Sequence, residues 1–116
     1  MGKKSAVKRA EDLLKLPVRM GGIELGRPVD LLIDRKRPRA VGFDVLCGDA
    51  AHRFLPFVVA KFRDDAIEID SPFLLLDFAQ VDFYRHQATT LRELNGDAGE
   101  LAVDEDGTIE RTARPR

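Results

Sequence analysis

The sequence predicts a mostly β protein: a small antiparallel barrel or sandwich, with a short helix before it and a β-hairpin after it. Three observations carry that prediction. Short apolar segments alternate with turn residues from Pro17 to Asp77, the close spacing expected of strands in a small all-β domain. Clear helical spacing is found over the first sixteen residues, and a strand–turn–strand pattern returns near the end. The chain has 116 residues, 44% hydrophobic and 34% charged, which is enough for one core and too short for a cofactor domain plus a substrate domain.

From Ser5 to Leu16 the residues Val7, Ala10, Leu13 and Leu14 recur at helical spacing, while Lys8, Arg9, Glu11 and Asp12 fall on the opposite side. Ser5 suits an N-cap, and Pro17 ends the segment by forcing its predecessor out of the helical region. About three turns are not stable alone, so this basic helix must dock or fray. Val18 and Met20 then lead through the turn Gly21-Gly22 into Ile23-Glu24-Leu25-Gly26. Val29 to Asp34 is a second apolar segment, and Arg35 to Arg39 is a charged turn containing Pro38. Ala40 to Cys47 alternates, with Val41, Phe43 and Val45 on one face and Gly42, Asp44 and Leu46 on the other.

Gly48-Asp49 opens the next turn, and Arg53 to Phe62 is apolar but interrupted by Pro56, the mark of an edge or a bend. Arg63-Asp64-Asp65 is a turn, after which Ala66, Glu68 and Asp70 alternate with Ile67 and Ile69. Ser71 to Asp77 suits a single 3₁₀ turn closing one end of the barrel. Asp82 to Leu94 fits helix or extended chain equally, whereas Leu101 to Thr112 reads as a hairpin with Asp106-Gly107 at its tip. The divisions that follow are a basic helix over 1–15, a barrel-like domain over 16–77, an extension over 78–112 and a disordered tail over 113–116.

In their order and spacing, Leu16-Pro17-Val18, the run Gly22 to Asp34, Ala40 to Val45, Leu55-Pro56-Phe57 and Asp65-Ala66-Ile67-Glu68-Ile69 resemble the PRC-barrel family. That family includes the barrel of the photosynthetic reaction-centre H subunit and the C-terminal barrel of the ribosome maturation factor RimM. The resemblance covers residues 16–77. It implies a docking or assembly module with no catalytic residues and no cofactor. Leu91 to Gly96, Ala98 to Asp104 and Thr108 to Thr112 resemble the opening of a second such repeat, with Gly96, Gly99 and Asp104 paralleling Gly22, Gly26 and Asp34. A half-repeat leaves an open edge, which this chain must fill with its own barrel or with a second subunit in a homodimer.

The residues themselves offer little chemistry. A single cysteine excludes an internal disulfide framework, and Cys47 ends an apolar strand, as a structural thiol would. His52, in an expected turn, and His86 each lack a second metal ligand at helical or hairpin spacing. Asp30 and Asp34 share a strand face, where they either divide acid and base roles or hydrogen-bond nearby backbone. Asp104-Glu105-Asp106-Gly107 is a hairpin turn and not a calcium loop, because Ala102 and Ala113 stand where the first and the bidentate ligands belong. No helix follows Gly21, Gly22 or Gly26 to make a phosphate-binding fingerprint.

Charge and exposed aromatics remain. Net charge is only −1, yet residues 1–40 carry 11 Lys/Arg against 5 Asp/Glu, and residues 41–116 carry 8 against 15. Arg35, Lys36, Arg37 and Arg39 are the sharpest basic cluster, either a solvated turn or, with Lys3, Lys4, Lys8 and Arg9, a polyanion-binding face for RNA, a ribosome or anionic lipid. No aromatic residue interleaves with it to stack on bases. The N-terminal helix also lacks the aromatic face of a membrane anchor. Phe73, Phe78, Phe83 and Tyr84 either cover the barrel end or form a partner surface. No apolar run reaches the length of a membrane helix or a signal peptide, so a cytoplasmic location is expected. The expected function is a non-enzymatic protein-interaction module, with an RNA- or ribosome-associated factor as the alternative.

Overall fold

The computed structural model describes residues 8–34, 36, 39–77, 79, 88–90, 101–104 and 107–111. Its strands are β1 (Lys8–Arg9), β2 (Val18–Met20), β3 (Ile23–Asp34), β4 (Ala40–Cys47), β5 (His52–Pro56), β6 (Lys61–Phe62), β7 (Ile67–Glu68), β8 (Ala88–Thr90), β9 (Leu101–Val103) and β10 (Ile109–Arg111). One helical turn, α1 (Ala10–Leu13), and two 3₁₀ turns, Phe57–Val59 and Pro72–Leu74, complete the described elements. The mostly β expectation holds.

The main sheet runs β5-β4-β3-β2-β7-β6, and β8 lies beside the far half of β3. Gly21 and Gly22, both at positive φ, form the two-residue turn that pairs Met20 with Ile23. The sheet is mixed and not wholly antiparallel as expected, because β7 runs parallel to β2. Chain direction explains this. The turn Phe57–Val59 bends the chain without reversing it, so β5 and β6 run the same way and β7 returns alongside β2. Since β5 and β6 are the two ends of the sheet path, this one turn also draws those ends toward each other.

Two bulges sort the side chains. Pro28 pairs with Val45 and Asp30 with Asp44, leaving Val29 as an extra residue on β3; Leu32 pairs with Gly42 and Ile33 with Ala40, leaving Val41 extra on β4. Val41 therefore departs from the face predicted for it. It packs on Leu32, Phe54 and Ala88, while Phe43 and Val45 join the main core of Val18, Leu31, Ile33, Leu55, Phe57 and Ile67. Pro28 is tolerated within β3 because it sits beside a bulge, between the stretch paired with β2 and the stretch paired with β8. The expected break at Pro56 is the end of β5, where Pro56 precedes the 3₁₀ turn.

The N-terminal helix is much shorter than predicted. Lys8 and Arg9 are extended and pair with Val103 and Ala102, so the helix starts only at Ala10 and has no side-chain N-cap bond. Backbone pairing with β9 has overridden the helical pattern of that stretch. Ser5 and Val7 lie outside the described residues, as do residues 91–100 of the suggested second repeat. The hairpin β9–β10 forms as expected, with Gly107 at φ +92°. Its open edge is filled within the chain: β9 lies between β1 and β10, and Thr108 bridges to Arg39.

Gly42 is required by a close approach. A Cβ there would lie 2.4 Å from the Phe54 ring and 2.5 Å from the Leu55 carbonyl oxygen. Replacing it with alanine forces β4 and β5 apart, so Gly42→Ala is expected to cost about 2–3 kcal/mol and to lower the urea midpoint. An unchanged midpoint contradicts this packing.

Candidate functional site

Three places on the molecule combine accessible or polar side chains in a way the core does not require. The first is one end of the main sheet. Here the β4–β5 loop closes with Cys47 N–H donating to the Ala51 carbonyl and Ala50 N–H donating back to the Cys47 carbonyl, both at 2.9 Å. Asp49 Oδ1 accepts from Ala51 N–H at 3.1 Å. Both Asp49 oxygens also accept from the Arg53 guanidinium at 3.0 Å, a two-pronged pair. Beside it opens a cleft of about 370 Å³ lined by Leu25, Cys47, Gly48, Asp49, Arg53, Pro72 and Leu75. Cys47 is half-buried there.

The 3₁₀ turn Pro72–Leu74, which the sequence suggested within Ser71 to Asp77, adjoins this cleft. The Ser71 hydroxyl accepts from Phe73 N–H at 3.1 Å, and Pro72 fixes the first position of the turn. The chain then returns to the sheet, where Leu76 and Phe54 exchange backbone hydrogen bonds of 2.8 and 2.9 Å. So held, Phe73 presents a ring that is 86% exposed. Of the four aromatics proposed as a partner surface, Phe73 alone is described; Phe78, Phe83 and Tyr84 lie outside the described residues.

The second place is the sheet face opposite the main core. Asp30 and Asp44 are direct cross-strand partners and both are buried. Asp30 Oδ1 accepts from Leu31 N–H at 3.0 Å, and Asp44 Oδ1 lies 2.7 Å from His52 Nδ1. His52 is not in a turn as predicted. It opens β5 opposite Leu46, because the loop before it is only residues 48–51. Asp34 Oδ1 accepts from Lys36 N–H at 2.8 Å. Both Asp30 and Asp34 thus bond adjacent backbone, the structural role allowed for in the sequence. The buried Asp44 and its histidine were missed; the available signal was an acid on the face of β4 that alternation sets against the core. Among the described residues, no group of three or more His, Cys, Asp or Glu side chains is placed to hold a metal ion.

The third place is the basic turn. Lys36 and Arg39 are exposed, whereas Arg35 and Arg37 lie outside the described residues. Arg39 starts the run into β4: its carbonyl accepts from Asp34 N–H at 2.9 Å, and it bridges to Thr108. The basic turn and the hairpin β9–β10 are therefore neighbours. Among the described residues no helix is long and apolar enough to cross a membrane. No protein-family model and no curated protein matches the chain.

The Asp49–Arg53 pair makes a pH prediction. Hydrogen bonding from Arg53, helped by the Ala51 amide, lowers the Asp49 carboxyl from 3.8 to about 2. A depressed carboxyl adds stability that is present above 3.8 and is lost as pH falls toward 2. A carboxyl NMR titration is expected to place Asp49 near 2 in the wild type and to move it up toward 3.8 in Arg53→Ala, where the Ala51 amide alone still lowers it. Equal midpoints in the two proteins contradict the pairing.

Proposed function

We propose that the protein is a small PRC-type barrel acting in the cytoplasm as a non-catalytic interaction or assembly module, which recruits another protein through the end that carries Phe73. The barrel reading is supported by the way Phe57–Val59 carries the chain from one end of the sheet path to the other without reversing it. Bends of this kind make the corners of small barrels.

Phe73 is the observation that carries the functional reading. Leaving one phenylalanine in water forgoes about 1.5–3 kcal/mol of burial, and the capped 3₁₀ turn holds this ring out. Fixing the turn in advance limits the ordering cost of binding, and aromatic anchors beside a cleft are the usual centres of binding energy. Ile23, 63% exposed, starts β3 at the same end, two residues before Leu25 of the cleft and three before Gly26, which pairs with Cys47. The C-terminal hairpin already has both edges of β9 filled within the chain.

Phe73→Ser separates partner binding from folding. Because the ring is exposed, the unfolding midpoint is expected to stay within about 0.5 kcal/mol of wild type. Tagged full-length chain is expected to capture a partner that survives RNase and high salt, and the variant to lose it. A partner retained by the variant, or released from wild type by salt, contradicts the reading; light scattering of the pure protein tests the second-copy case.

A further inference from the structure

We draw no further inference here: the strongest candidate, the cleft beside the Asp49–Arg53 pair where Cys47 is half-buried, belongs to the site already described, and nothing in the structure shows what fills it.

Discussion

Three phenylalanine rings hold together what the backbone ladder leaves apart. Phe43 comes from β4, next to one end of the sheet path, Phe57 from the turn between its two end strands, and Phe62 from β6 at the other end. Their centroids lie 5.9 Å apart for Phe43–Phe57, 6.2 Å for Phe43–Phe62 and 5.1 Å for Phe57–Phe62, a range favourable to aromatic packing. A sheet whose ends are joined by so short a turn has to curl, and the curled sheet needs bulk on its concave side. The rings supply that bulk. Gly107 then lets the C-terminal hairpin rest against Phe57, where a Cβ would already be tight at 3.3 Å.

The bulges at Val29 and Val41 follow from the same constraint. A bulge bends its strand and adds twist, and these two insertions fix which side chains face the rings. On the opposite face they align Asp30 with Asp44, so that a buried polar pair and a histidine share that face with the second apolar cluster of Leu32, Phe54 and Ala88. The surface is correspondingly divided. Most described cations are matched by a nearby acid, while the Phe73 ring stands exposed on a capped turn.

Much of this was legible in the residues. The strands Val18–Met20 and Ala40–Cys47, the Gly21-Gly22 turn, the 3₁₀ turn after Ser71 and the final hairpin all follow from local alternation, proline and glycine, because the chemistry that sets them lies within a few residues. The exposure of Lys36 and Arg39 fits the charged turn expected there, whereas for Phe73 the sequence left cover and exposure open. Three features were not legible. The parallel pairing of β2 with β7 depends on a chain direction set forty residues away. The extended state of Lys8 and Arg9 depends on a partner strand at Leu101–Val103, against a local helical pattern. The face taken by Val41 depends on a one-residue bulge that alternation cannot announce.

Native-state hydrogen exchange in Phe57→Leu tests the central claim most directly, since the substitution keeps an apolar side chain and removes the ring. Three amides report on separate regions: Ile67, which donates to Pro17; Ala40, which donates to Gly107; and Phe54, which donates to Leu76. If the rings hold the sheet's curl and the hairpin together, the protection of Ile67 and Ala40 falls in parallel, and that of Phe54, on the opposite face, falls less. Loss confined to the amides next to residue 57, with Ile67 and Ala40 as protected as in the wild type, would contradict the account.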